Sequence, residues 1–151
     1  MGNIFNEDFR DFLLMLNKHQ VRYILVGGFA VILHGYSRTT GDMDIWVDRN
    51  KENYQRLRLA FEDFGMPVFD MTEENFLVHP VWDVFTFGVP PVAIDIMLKV
   101  KGLDFEETYN NAVIFEDDDL QIRTIHKSQL LKAKKHSNRP KDIDDIQNLT
   151  E

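Results

Sequence analysis

The segment Tyr23-Ile24-Leu25-Val26-Gly27-Gly28-Phe29-Ala30-Val31-Ile32-Leu33-His34-Gly35 leads, after a short polar stretch, into Asp42-Met43-Asp44-Ile45-Trp46-Val47. Tyr23–Val26 is an unbroken apolar run, which reads as a short buried strand, and Gly27-Gly28 stops it. Residues 29–34 read as a short helix closed by Gly35. Asp42–Val47 reads as a second strand. Alternation puts Asp42 and Asp44 on one face and Met43, Ile45 and Val47 on the other. Strand, glycine turn, helix and strand in that order predict a mixed α/β architecture.

Upstream, Asn6 is placed to cap a helix whose first turn holds Glu7 and Asp8. Phe9, Phe12, Leu13 and Leu16 give that helix one apolar face. Downstream, residues 50–64 carry Tyr54, Leu57, Phe61 and Phe64 at helical spacing and stop at Gly65. Residues 66–79 show no clear period. Val84–Phe87 and residues 92–98, split by a Gly-Val-Pro-Pro break, predict strands in a hairpin or meander. A short helix at 105–110, a hairpin of 113–115 with 121–125, and helices at 128–136 and 141–149 complete the chain. No repeat, linker or low-complexity tract interrupts it. Residues 1–151 are therefore expected to form one domain, a small mixed β-sheet flanked by helices.

The composition is 44% hydrophobic with 12 Phe and no Cys. Such a chain can build a core, and it has no disulfide, thiolate metal site or cysteine nucleophile, so a reducing cytoplasm is the expected compartment. The apolar runs at 12–16 and 29–33 are far shorter than the ~20 residues a membrane span needs. Acidic residues soon after Met1-Gly2-Asn3 are unlike a signal peptide. The net charge of −8, from 17 Lys plus Arg against 25 Asp plus Glu, argues against a nucleic-acid coat and against sequence-specific DNA binding.

Local charge is more informative. Between Asp104 and Asp119 every charged residue is acidic, and between Arg123 and Lys141 every one is basic. A basic tract on an acidic protein suits a polyphosphate or an RNA end; it equally describes a solvated amphipathic helix.

The chemistry gathers on aspartates. Asp42 and Asp44, side by side on one strand face, repel each other unless a cation lies between them, and Mg²⁺ takes such oxygen ligands together with those of a nucleotide phosphate. Asp95 lies between Ile94 and Ile96 in an otherwise apolar strand, where a carboxylate needs a partner: the same cation, an Arg, or backbone N–H groups. Gly27 and Gly28 at a strand end let backbone N–H groups approach an anion, although glycine in such a turn also has a purely steric use.

This order of motifs resembles the nucleotidyltransferases of the DNA polymerase β superfamily: Gly27-Gly28, a short helix, Arg38-x-Thr40-x-Asp42-x-Asp44, then Asp95 among apolar residues. The ending, Leu130-Leu131, Lys134, Arg139-Pro140-Lys141-Asp142 and Asp145, is similar to that of the abortive-infection toxin-type branch, which includes toxins of toxin–antitoxin pairs. The resemblance implies a nucleotidyltransferase fold and transfer of a nucleoside monophosphate from an NTP to a hydroxyl. Asp42, Asp44 and Asp95 would hold Mg²⁺, two ions when NTP is bound, and Asp95 would accept the proton of the attacking hydroxyl. Gly27, Gly28 and Arg38 would meet phosphate, Lys134 would neutralise the triphosphate, and Asp142 or else Asp145 would lie near the nucleotide. The acceptor would be an RNA or a protein, and a cognate antitoxin or other partner protein is expected. In place of the Ser that follows the first glycine in better-known members, this chain has Gly28. A nucleotide- or partner-binding module without turnover is the alternative, and a metal-dependent phosphohydrolase is another.

The remaining features carry less. His19, His34, His79, His126 and His136 lack zinc-site spacing. Trp82, Phe85 and Phe87 suit a hairpin core better than a base-stacking platform. No Gly-x-Ser-x-Gly or P-loop sequence occurs.

Overall fold

In the computed structural model, which describes residues 5–36, 40–89, 93–137 and 139–150, the chain begins with α1 (Glu7–Lys18). Asn6 caps it by accepting the Phe9 N–H at 2.9 Å, and Phe9, Phe12, Leu13 and Leu16 are its buried face. β1 (Tyr23–Val26), α2 (Gly27–Leu33) and β2 (Asp42–Val47) follow. α3 (Lys51–Phe64) is capped by Asn50 and ends at Gly65 in the left-handed conformation. Then come α4 (Glu73–Leu77), β3 (Val84–Phe87), β4 (Ala93–Met97), α5 (Phe105–Asn111), β5 (Val113–Asp117), β6 (Leu120–Thr124), α6 (Lys127–Ser137) and α7 (Pro140–Thr150). None of these helices is long and apolar enough to cross a membrane.

The strands form one six-stranded mixed sheet in the order β3-β4-β2-β1-β6-β5. β2 runs parallel to β4 and antiparallel to β1, and β1 runs parallel to β6; the outer pairs β3–β4 and β5–β6 are antiparallel hairpins. β1 is buried along its whole length, as its unbroken apolar run predicts. Met43, Ile45 and Val47 join Ile94, Ile96, Phe85 and Phe87 against α1, α3 and α4. Aromatic rings lock this layer: Phe12 meets Phe61 edge-on at 5.5 Å, and Phe61 meets Phe87 at 4.7 Å.

The opposite face bears Ile24, Val26 and Trp46, covered by Ile125, Leu130 and Leu149, with Phe105 edge-on to Trp46 at 5.1 Å. With both faces covered, Asp42 and Asp44 near the head of β2 and Asp95 at the middle of β4 lie level with the end of β1, where it passes into α2.

The segment 66–79 holds α4, a single turn capped by Thr72. Its buried Phe76 packs on Tyr54, whose hydroxyl donates to the Met71 carbonyl at 2.8 Å. One buried side chain in one helical turn leaves no period to read. Trp82 stacks on the buried Phe85 at 4.9 Å and 8°, so the aromatic group builds the hairpin's core.

Candidate active site

The site is assembled from three strands and the last two helices. Asp44 of β2 lies directly across from Asp95 of β4, and Asp42 precedes it on the same face at the head of the strand. On its other side Asp44 pairs with Val26, the last residue of β1. Gly27 therefore starts α2 against the Asp44 side chain. Its φ of +70° is in the region that favours glycine, and a Cβ there would collide with the Asp44 carboxylate, 2.9 Å from its Cγ. The close approach that Gly27 permits is thus to Asp44 itself. Gly28 is buried in the first turn of α2.

The carboxylates are unequal. Asp42 is exposed, whereas Asp44 and Asp95 are half-buried. Burial, then the charge of Asp95, its hydrogen bond and the charge of Asp42 push the Asp44 carboxyl up to about 7, with Lys134 acting the other way. Asp95 accepts a hydrogen bond from the Thr86 hydroxyl at 2.7 Å.

Helices α6 and α7 close the site from the second layer. Lys134 is buried, and its ammonium lies 3.1 Å from Asp142 Oδ1 and 3.1 Å from Asp145 Oδ2. Asp142 is fully buried and also accepts from the Arg139 backbone N–H at 3.2 Å and from Arg139 Nε at 2.9 Å. The backbone contact is one half of a capping box, with Pro140 as the first helical residue behind it. Hydrogen bonds from Arg139, Ser137 and Lys134 outweigh the effect of burial and hold the Asp142 carboxyl well below the usual carboxylate range.

Two adjoining cavities result. One, of about 380 Å³, is lined by Gly27, Gly28, Thr40, Gly41, the three aspartates, Lys134, Arg139 and Lys141. The other, of about 330 Å³, shares Gly27, Asp44, Lys134 and Arg139, and adds Val26, Met97, Val100, Ile125, Leu130 and Ala133 with Lys99 and Lys101. The first is polar. The second is half apolar.

Asp42, Asp44, Asp95, Gly27, Gly28 and Lys134 therefore meet at one cavity, while Arg38 lies outside the described residues. Asp142 borders the second cavity, with its carboxylate engaged by Lys134 and Arg139. The basic tract is divided. Lys134 and Arg139, which also bind acids, line the polar cavity with Lys141, whereas Arg123 lies 4.3 Å from the Tyr109 ring centroid, beside a different cavity. Sequence reasoning left Arg139, Lys141, Thr40 and Thr86 without site roles. Arg139 and Lys141 flank Asp142 in the closing motif, which was a usable signal; Thr86 offered none.

A family described as nucleotidyltransferase of unknown function (DUF6036) matches residues 5–150. The chain belongs to this family. It is thus a nucleotidyltransferase, an enzyme. No curated protein matches it. The nucleotidyltransferase is similar in fold to the crystal structure of the lincosamide antibiotic adenylyltransferase LnuA with lincomycin bound, with a TM-score of 0.62 and 22% identity over 99% of this chain and 98% of that one.

The donor set of the nucleotidyltransferase at the polar cavity is Asp42, Asp44 and Asp95. It offers carboxylate oxygens, the donor type that a hard dication takes. Among the described residues, no three acidic or histidine side chains are already drawn into a ready metal-binding group.

Proposed function

We propose that this enzyme, acting as one domain over residues 1–151, transfers a nucleoside monophosphate from an NTP to an acceptor hydroxyl with Mg²⁺. The observation that carries the reading is the Asp44–Asp95 pair, opposed on adjacent parallel strands and lining one cavity with Asp42. Asp42, Asp44 and Asp95 would hold the metal, which supplies charge neutralisation at the triphosphate and a more acidic acceptor hydroxyl when bound. Asp95 takes the hydroxyl proton as the new O–P bond forms at the α-phosphorus. The bond to the bridging oxygen breaks, and pyrophosphate leaves. Lys141 and Arg139, on the wall of the polar cavity, face the departing phosphates. Asp142 and Asp145 hold Lys134 in place, so its ammonium reaches the field of Asp44 without moving.

The acceptor in this reading is an RNA or a protein, and the closing motif from Lys134 to Asp145 supports a relation to toxin-type enzymes with a cognate partner protein. A small hydroxylated molecule is the second acceptor class, favoured by the end-to-end likeness to a lincosamide adenylyltransferase. The test incubates each of the four α-³²P-labelled NTPs with Mg²⁺, the protein and a whole-cell lysate, with Asp44→Asn as control. Label in an RNA band, a protein band or a small-molecule fraction, present only with the wild type, is the expected result and identifies the acceptor class. NTP binding without any transfer would overturn the proposal in favour of a binding module, and orthophosphate release without an acceptor in favour of a phosphohydrolase.

A further inference from the structure

Three adjacent strands place Thr86, Asp95 and Asp44 at one level of the sheet: Thr86 pairs with Asp95 across β3–β4, and Asp95 with Asp44 across β4–β2. Residues paired in this way lie on the same face. Asp95 thus lies between them, and it accepts the Thr86 hydroxyl at Oδ1 (2.7 Å) from the side opposite Asp44. β3 is the outer strand, and Thr86 is exposed. Its hydroxyl has water within reach and is nevertheless directed to the carboxylate. A β-branched side chain has few χ1 choices, so the hydroxyl stays in place at little entropic cost.

We propose that Thr86 is a positioning residue: its hydroxyl fixes the side-chain torsion of Asp95 and occupies Oδ1, leaving the other lone pairs available to the polar cavity. This rests on the reading of Asp95 as the group that joins Asp42 and Asp44 around Mg²⁺ and takes the acceptor's proton. Partners behind a metal-binding carboxylate commonly set its affinity and reactivity. Thr86 contributes little to the core, and valine suits a strand as well as threonine does, so removing the hydroxyl leaves the fold in place.

The test compares Thr86→Val, Thr86→Ser and Asp95→Asn with the wild type. One readout is the affinity of the nucleotide-free protein for Mn²⁺ alone, by calorimetry. The other is kcat and KM for NTP in label transfer at a fixed lysate concentration. Thr86→Val is expected to weaken Mn²⁺ binding and lower kcat roughly tenfold each, with KM for NTP within about twofold of wild type. Thr86→Ser, which keeps the hydroxyl, restores both. If Thr86→Val matches the wild type while Asp95→Asn is impaired, Thr86 has no positioning role. Equal impairment of the Ser and Val variants assigns the effect to strand packing and also overturns the proposal. Full transfer by Asp95→Asn overturns the underlying reading of Asp95, and the role of Thr86 with it.

Discussion

Asp44 and Asp142 are the same residue type on the walls of adjoining cavities, and the protein treats them in opposite ways. Asp142, at the start of α7, is fully buried and is given Lys134 and Arg139, which hold its carboxyl well below the usual range. Asp44, on β2, is set against Asp95 and near Asp42, and burial with these charges pushes it up to about 7. The α6–α7 corner is electrostatically complete without a ligand. The strand rim sets three carboxylates together and raises Asp44, an imbalance of the kind that marks a candidate site.

Asp44→Asn removes the uncompensated acid while keeping its shape. Transfer activity should fall at least ~10²-fold, since charge stabilisation at such a site is worth several kcal/mol. Label transfer with the wild type as reference measures it, and full activity would end the mechanism.

Lys134→Met does the converse and strips Asp142 and Asp145 of their shared cation. Leaving buried carboxylates behind should cost about 3 kcal/mol, read as a lower urea midpoint. An unchanged midpoint would show that Arg139 alone satisfies the corner.

Gly27→Ala presses a methyl group onto Asp44 at a left-handed backbone position and should cost about 2 kcal/mol in thermal unfolding. Part of that cost should vanish in an Asp44→Ala background, where the carboxylate is gone. Equal costs in both backgrounds would mean that backbone strain alone makes Gly27 necessary.

The smallest expected effect is a pH dependence. An Asp raised to about 7 in the folded state retains its proton there between pH ~4 and 7 while the unfolded chain has lost it, so stability falls as pH rises through that window. Metal-free Asp44→Asn should accordingly exceed the wild type by about 1 kcal/mol at pH 8, with the gain fading toward pH 4. Asp142 has the opposite sign: its contribution is present above the carboxylate range and is lost as pH falls. Urea titrations across pH separate the two.

Much of this contrast was already readable in the residues. The alternation in Asp42–Val47 put both aspartates on one face because a strand has period two, and that holds whatever the neighbouring strands are. Asn6, Asn50 and Gly65 marked helix ends through local hydrogen bonding and a left-handed cap. Segment 66–79 stayed opaque because α4 is held by Phe76 against Tyr54, a contact from another helix and not a pattern of its own. The basic tract read as one feature because sequence proximity was all it had; the packing of α7 on α6 brings Lys134, Arg139 and Lys141 to the polar cavity, while Arg123 on β6 lies beside another.

The sequence alone settled which faces are apolar, roughly where the elements outside segment 66–79 lie, and that several aspartates need compensation. These follow from local periodicity and from the cost of burying charge, neither of which depends on the route of the chain. Tertiary structure decided which acid receives which compensation. Placing β2 beside β4 set Asp44 against Asp95, and folding α7 onto α6 gave Lys134 to Asp142 and Asp145. Coulomb energy depends on distance through space, and only strand order and helix packing bring such separated charges close enough to matter.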